Sequence, residues 1–193
     1  MRALIFAAAM LMAPAAFAEP VRYALDPAHT QVAFRIDRFG FNSVLAQFDA
    51  VEGEVLIDEA NPANSSVRAV IQTASISAGN ETRDEHLREP RWLNAAGFPT
   101  IIFQSTAVRL TSATTADVTG NLTLLGQTHP VTMQVTLNRH GPLPNNQRQA
   151  AGFSATGTLN RSAFGSTTGA NVIGDAVRFE IEALAVVPAA PAQ

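Results

Sequence analysis

The 193-residue sequence contains no cysteine and no lysine. Without cysteine, the chain has no disulfide, no thiol nucleophile and no cysteine-ligated metal site. Without lysine, it has neither a Schiff-base lysine nor the lysine of a phosphate-binding P-loop. Thirteen basic residues are outnumbered by sixteen acidic ones, which gives a formal net charge of −3. A nucleic-acid-binding protein needs a basic surface that displaces counterions, so this composition predicts no nucleic-acid partner.

Hydrogen-bonding aromatic residues are also scarce, with one tyrosine and one tryptophan against eleven phenylalanines. This ratio is typical of an interior built on apolar contact. Apolar residues make up 47% of the chain and charged residues 15%, which excludes both a disordered chain and a bundle of membrane helices. The length suits one domain.

The longest apolar run near the N-terminus covers residues 3–12, which is too short for a membrane span of about 20 residues. Arg2 precedes the run, Pro14 follows it, and Ala-Phe-Ala at 16–18 fits the small-x-small pattern that signal peptidase cleaves. We expect residues 1–18 to be a signal peptide that is removed before Glu19. The mature protein is then exported to a bacterial periplasm or secreted, with no stable membrane span.

Apolar and polar residues alternate with a period of two along most of the body, as at Val131, Met133, Val135 and Leu137. This period is typical of strands with one buried and one solvated face. No repeat or change in composition divides residues 19–187, so we predict one domain there, followed by a flexible tail at 188–193. Further alternating segments lie at 31–36, 51–58, 151–159 and 177–185, with weaker ones at 66–76, 100–110 and 116–125.

About eight antiparallel strands with one apolar face must bury that face, either by closing into a barrel or by packing as two sheets. The interior of a closed eight-stranded barrel is filled by side chains or holds one small ligand. Small residues on the apolar face favour a cavity, but small and large residues that alternate to fill a tapering core give the same pattern. Both interpretations remain open from spacing alone. The small residues are Gly53, Ala69, Gly120, Ala151, Ala155, Gly157, Ala183 and Ala185.

One segment breaks the strand pattern. Thr82 and Glu85 have the spacing of a helix capping box, Asp84 and Arg88 stand at i and i+4, and Pro90 is a helix stop. These signals predict a short helix of about two turns at 82–89.

Several motifs in collinear order resemble the YceI-like family of periplasmic, polyisoprenoid-binding proteins. Each motif is weak alone, but their order and spacing are specific and extend from about residue 22 to 187. They are YALDPAHT at 23–30, GNETRDEHLR at 79–88, FPTIIF at 98–103, GNLTLLG at 120–126, PV at 130–131, GFSA at 152–155 and NRSAFG at 160–165.

The resemblance implies an all-β fold, a single antiparallel lipocalin-like barrel extended along its axis. It also implies a bound isoprenoid or similar amphiphile, no catalytic residue and no cofactor. The chain departs from the family at Asp37 and Arg38, where a basic residue and a histidine usually stand before the Leu-Gly step. A head-group role for that histidine therefore cannot be transferred to this chain.

The alternation and the resemblance together predict the residues of the site. Arg83, His86 and Arg161 lie within the family motifs and are candidates for the ligand head group, because a guanidinium suits a phosphate or a carboxylate. A structural pairing of Arg83 or Arg161 with Asp26, Asp84 or Asp175 is the alternative. We expect the apolar lining to consist of Phe34, Ile36, Val55, Ile57, Leu122, Leu124, Met133, Val135, Leu137, Phe153, Ala155, Phe179 and Ile181.

Catalytic and metal-binding patterns receive little support. The four histidines lack metal-ligand spacing, Ser154 lies in mid-strand rather than in a nucleophile elbow, and paired carboxylates share solvated strand faces. We therefore predict a protein that carries or sequesters an amphiphilic lipid such as a prenyl phosphate, a quinone or a fatty amide. The alternatives are an envelope stress protein whose barrel surface binds another protein, or an enzyme on a lipid-like substrate. A second copy, a membrane cytochrome or another envelope protein are candidate partners.

Overall fold

A computed structural model describes residues 19–189, which form strands and one α-helix, α1 (Glu81–Arg88). Short 3₁₀ turns at Pro27–His29, Pro62–Asn64, Thr73–Ser75 and Arg161–Phe164 connect the other elements. The strand segments are β1 (Val21–Leu25), β2 (Gln31–Arg38), β3 (Asn42–Phe48), β4 (Val51–Ile57), β5 (Ser66–Gln72), β6 (Ile76–Ser77), β7 (Thr100–Leu110), β8 (Thr115–Leu124), β9 (Gln127–Pro142), β10 (Gln149–Asn160) and β11 (Ile173–Val186).

The strand segments combine into eight long strands, because β1 continues into β2, β3 into β4 and β5 into β6 across short breaks. Each long strand pairs antiparallel with the next one along the chain. The sheet closes because β11 pairs with β2 through its first half and with β1 near its end. The prediction of an antiparallel, lipocalin-like barrel of about eight strands with one short helix is confirmed.

The break between β1 and β2 follows from its sequence. Pro27 cannot donate a ladder hydrogen bond, so it ends the pairing of β1 with β11. The Asp26 side chain accepts from the Ala28 amide at 3.0 Å, which caps the 3₁₀ turn. β2 then resumes on the same edge of β11, with Gln31 opposite Glu182.

The pairing registers define two ends of the barrel. The "terminal end" carries the start of β1, the loops 58–65, 111–114 and 143–148, and the end of β11. The "helical end" carries the β2–β3 hairpin turn, the long connection from β6 to β7 that contains α1, the β8–β9 turn, and the connection from β10 to β11. Any ligand that enters along the barrel axis must pass one of these two loop sets.

The helix begins one residue earlier than predicted, and its N-cap is Asn80 rather than Thr82. The Asn80 side chain accepts from the Arg83 amide at 3.0 Å. An asparagine oxygen reaches this amide as readily as a threonine hydroxyl does, so the Thr82 and Glu85 spacing misplaced the cap.

Asp84 and Arg88, which stand at i and i+4 on this helix, do not pair with each other. Asp84 is buried and accepts from the Ala78 amide at 2.6 Å. Arg88 donates to the Ala74 and Ile76 carbonyls at 2.8 and 3.0 Å. Both side chains hold the helix to the preceding segment, residues 74–78, instead of pairing along its surface.

Two groups of buried side chains form the core. One centres on Tyr23, Leu25, Phe48 and Ile76, and the other comprises Phe103, Val118, Met133 and Ala155. Both line the inside of the barrel wall. Among residues 19–189, no helix is long and apolar enough to cross a bilayer. The predicted signal peptide at 1–18 and the last four residues of the predicted tail lie outside the described residues.

Candidate functional site

A cavity of about 970 Å³ occupies the barrel interior. Its wall includes Asp58 and Glu59 at the terminal end, and Arg83 and Trp92 at the helical end. The cavity therefore extends along the whole barrel axis. Its volume is near the top of the range of about 300–1,000 Å³ that is typical of ligand pockets.

The cavity wall contains all thirteen apolar side chains that the alternation placed inside the barrel. It also contains Val44, Ala46 and Phe48 of β3, a segment that the sequence analysis did not identify as a strand. Ile101 and Val108 of β7 line it as well, although they differ by an odd number of positions. A register shift between Ser105 and Ala107 reverses the alternation in that strand. The placement of the thirteen is observed, and their contact with a ligand stays a prediction.

The small residues on the inner face have two different roles. A Cβ atom at Gly120 would overlap the Phe103 ring, and one at Gly157 would overlap the Phe179 ring, so these glycines make room for aromatic side chains. At these two positions the structure supports the second interpretation, in which small residues accommodate large ones. Ala69, Ala155 and Ala183, in contrast, do line the cavity.

Basic side chains line the helical end of the cavity. They are Arg38 at the end of β2, Arg83 and His86 on α1, and Arg91 in the following turn. The acidic residue of the cavity wall at this end is Asp37, whose carboxylate accepts from the Gly40 amide at 2.8 Å. Outside the wall, α1 and its C-cap also carry Glu81, Asp84, Glu85 and Glu89. A positive rim around an apolar interior fits an anionic or strongly hydrogen-bonding head group.

Arg83 and His86 keep free hydrogen-bonding capacity at this rim. One Arg83 amino group donates to the carbonyl of Ala78, which precedes the helix, and this bond ties the side chain to the segment after β6. The His86 Nε2 atom lies 3.9 Å from a Glu89 carboxylate oxygen, and its side chain is half-exposed. The structure places the two predicted head-group residues on the same part of the cavity wall, and their contact with a head group stays a prediction.

Arg161 is placed differently, although it also borders the cavity. It is 6% exposed, and its Nε atom donates to the Gly174 carbonyl at 3.0 Å. Its terminal amino groups donate to the carbonyls of Ser166, Thr168 and Ile173 at 2.6, 2.9 and 3.1 Å. These four bonds leave at most one N–H for a ligand. The side chain thus holds the β10–β11 connection closed, through carbonyls rather than through the aspartates weighed from sequence.

The terminal end of the cavity is acidic and contains a chain of three polar side chains. The Tyr23 hydroxyl and His140 Nε2 are 2.8 Å apart, and His140 Nδ1 lies 3.5 Å from a Glu59 carboxylate oxygen. The carboxylate favours a proton on Nδ1, so Nε2 accepts from the tyrosine. Burial, and secondly the charge of Glu59, raise the pKa of Tyr23.

Sequence reasoning missed His140 because of a β-bulge. Simple alternation from Leu137 places residue 140 on the outer face. The β9–β10 register shifts between Gly152 and Phe153, so His140 stands opposite the buried Ala151. No local signal in the chain marks this bulge.

No group of three or more His, Asp or Glu side chains within residues 19–189 is arranged to hold a metal ion. His29 lies 2.8 Å from the Asp26 carboxylate, and His129 packs edge-on against Phe164. Ser154 lies on the outer face and donates to a Glu182 carboxylate at 2.8 Å. These partners account for the side chains that could otherwise suggest hydrolytic or metal chemistry.

Comparison with known proteins identifies the family of the chain. The model of the YceI-like domain family matches residues 23–185. The chain belongs to the YceI-like domain family. A UPF0312 protein of Pseudomonas putida (strain W619) is 36% identical to this YceI-like domain over 163 residues, 84% of each chain. A UPF0312 protein of Pseudomonas aeruginosa (strain LESB58) is 35% identical over the same length and share.

Two solved structures of other proteins share the fold. Burkholderia cenocepacia BcnA superposes with a TM-score of 0.74 at 24% identity, over 83% of this chain and 98% of that one. A polyisoprenoid binding domain from Saccharophagus degradans superposes with a TM-score of 0.67 at 16% identity, over 86% of this chain and 98% of that one. At these identities the likeness establishes the barrel architecture.

Proposed function

We propose that the protein binds and carries or sequesters a polyisoprenoid or similar amphiphilic lipid in the barrel cavity. The observation that carries this proposal is the apolar cavity of about 970 Å³ that extends between the two ends of the barrel. The Saccharophagus degradans neighbour, described as a polyisoprenoid binding domain, supports the same ligand class. We further propose that the protein acts by binding alone, without a cofactor and without converting the lipid.

The binding energy comes from the lipid tail. Each five-carbon isoprene unit that moves from water into the cavity gains about 4 kcal/mol before the costs of ordering and association. Affinity therefore increases with chain length until the cavity is full. Prenyl phosphates, quinones and fatty amides all combine such a tail with a compact polar head.

The charges at the two ends of the cavity orient the ligand. Arg38, Arg83 and His86 line the helical end, whereas Asp58 and Glu59 line the terminal end. An anionic head is attracted to the first set and repelled by the second. The proposed orientation places the head at the helical end and the tail toward Tyr23 and His140.

We place this activity in the periplasm, after removal of the predicted signal peptide. A lipid with a long apolar tail cannot cross an aqueous compartment unaided, because its transfer into water is too unfavourable. A barrel that encloses the tail meets this need, either for transport between membranes or for sequestration.

Native mass spectrometry of the exported protein, purified without detergent, tests the proposal. We expect an added mass of several hundred daltons that organic extraction removes. The stripped protein should then bind prenols more tightly as their chain length increases. Recovered lipid should have the same mass after incubation with the protein, since no conversion is proposed. Protein that carries no added mass and takes up no prenol of any length would overturn the assignment.

A further inference from the structure

The turn between β2 and β3 displays two aromatic rings to solvent. We call residues 38–41, Arg-Phe-Gly-Phe, the "hairpin tip". Phe41 is 93% exposed and Phe39 is 50% exposed. Exposed aromatic side chains of this size lose the benefit of burial, so their display at one turn points to a binding surface.

The tip is held in one conformation. The Asp37 carboxylate accepts from the Gly40 amide at 2.8 Å, and the Phe39 amide donates to the Val172 carbonyl at 2.7 Å. Phe39 has a φ of +58°, a backbone conformation that is unfavourable for a bulky residue and persists only where the surroundings enforce it. The rings are therefore presented by a fixed turn that is bonded to the β10–β11 connection.

The tip adjoins the mouth of the cavity. Arg38 and Phe39 belong to the cavity wall, whereas Phe41 projects outside it. The Arg38 guanidinium carbon lies 4.6 Å above the Phe39 ring, so the charge and the apolar surface lie side by side. Arg38 forms no ion pair with any carboxylate of residues 19–189.

We propose that the hairpin tip docks the helical end of the barrel onto the surface of a lipid bilayer that contains anionic phospholipids. Phe41 and Phe39 enter the boundary between head groups and acyl chains, where aromatic side chains partition favourably. Arg38 binds the lipid phosphates. This places the cavity mouth against the membrane. Membrane docking does not depend on the proposed carrier function. The use of docking for lipid transfer does rest on that proposed function.

The size of the surface favours a membrane over a protein partner. A stable protein interface buries about 800 Å² on each partner, far more than two rings on a narrow turn provide. Interfacial membrane binding needs apolar side chains that reach only about 5–10 Å into the bilayer. A basic group beside the rings complements an anionic membrane and not an apolar protein groove.

Flotation of the mature protein with phosphatidylethanolamine–phosphatidylglycerol vesicles tests the docking. Phe41→Ser should reduce the bound fraction roughly tenfold or more, because it removes one deeply partitioning ring. Phe41→Trp should restore binding, since tryptophan favours the same interface. Leu45→Ser is the matched control. It removes an exposed apolar side chain from the outer face of β3, 65% exposed and away from the tip, and should leave binding unchanged.

The charge contribution has its own test. Arg38→Gln should weaken binding to the anionic vesicles and have little effect on vesicles of phosphatidylcholine alone. Added salt should reduce wild-type binding to the anionic vesicles more than it reduces binding of the variant, because exposed charges are screened.

Equal flotation of wild type and Phe41→Ser, or no flotation of either, would overturn the docking. A wild-type dimer that Phe41→Ser dissociates, without vesicle binding, would assign the tip to self-association instead. Prenol capacity measured on the same samples separates the two proposals, because Phe41 lies outside the cavity. If the protein binds vesicles but takes up no prenol, the docking proposal stands and the carrier proposal is overturned. If it takes up prenol but does not bind vesicles, the carrier proposal stands and the docking proposal is overturned.

Discussion

The hydroxyl of Tyr23 and the imidazole of His140 are bonded at 2.8 Å although 117 positions separate them in the chain. Tyr23 is 2% exposed, and its hydrogen bond to His140 ties the start of β1 to the end of β9 across the terminal end of the barrel. A Glu59 carboxylate oxygen lies 3.5 Å from Nδ1 on the other side of the imidazole. The same relationship closes the polar end of the cavity and gives the first testable prediction.

The alkaline titration of Tyr23 should be shifted upward in the folded protein. Burial is the larger cause and the negative charge of Glu59 the smaller one, and both raise the pKa of the hydroxyl above its ordinary value of 10.0. Tyr23 is the single tyrosine of the chain, so phenolate absorbance measures it alone. The midpoint should fall to its ordinary value in denaturant.

The sign of the effect on stability follows from this shift. The unfolded chain loses the tyrosine proton first, so this contribution to the free energy of unfolding is complete below pH 10.0 and is lost as the pH rises through the folded pKa. Glu59→Gln should lower the folded midpoint part of the way, since burial remains. A native midpoint at or below the denatured one would contradict the assignment.

Ala155→Phe should weaken the binding of long prenyl chains while the barrel stays folded. Ala155 lies on the cavity wall, and the added ring occupies space that the tail needs. Prenol titrations should show the largest loss, roughly tenfold or more, for the longest chains. Thr156→Phe, the neighbouring substitution on the outer face, is the control. If Ala155→Phe binds every chain length as the wild type does, the tail does not pass this position.

Arg161→Ala should destabilise the protein by about 3 kcal/mol even without ligand, because it leaves four backbone carbonyls without their charged donor. Thermal unfolding of the stripped protein measures this. Arg91→Ala removes an exposed arginine that pairs with Glu89, and should change the stability by less than about 1 kcal/mol. If the two variants are equally stable, the structural role assigned to Arg161 is contradicted.

His86→Ala should lower affinity for a prenyl phosphate more than for the uncharged prenol of the same length. The side chain is half-exposed at the basic rim, so its loss removes a head-group contact and little packing. Calorimetric titration of both ligands gives the difference, which we expect to be about tenfold. If affinity falls equally for the prenyl phosphate and the prenol, the head group does not contact His86.

The exported protein should begin at Glu19. Cleavage after Ala18 follows from the apolar run and the small-x-small pattern in the sequence. Intact-mass analysis of material recovered from the periplasm or the medium gives the start directly. Secreted protein that retains Arg2 would refute the predicted signal peptide.

The sequence by itself determined the strand alternation and the family. Val131 to Leu137 show why, because side chains on a strand alternate between faces and one buried face forces apolar residues into every second position. This period also placed the thirteen lining residues. The family motifs supplied the position of Arg83 and His86, which the structure brings to one end of the cavity.

Only the tertiary structure decided the details of the two ends. The bulge in β9 turns His140 inward, and the closure of β11 on β1 and β2 brings the hairpin tip next to the β10–β11 connection. Arg161 received its four carbonyl partners from the same folding of the chain. Such contacts depend on loop paths and on one-residue register shifts, which carry no period along the sequence. Thirteen residues of the cavity wall were therefore predictable from the order of residues in the chain, whereas His140 and the partners of Arg161 were not.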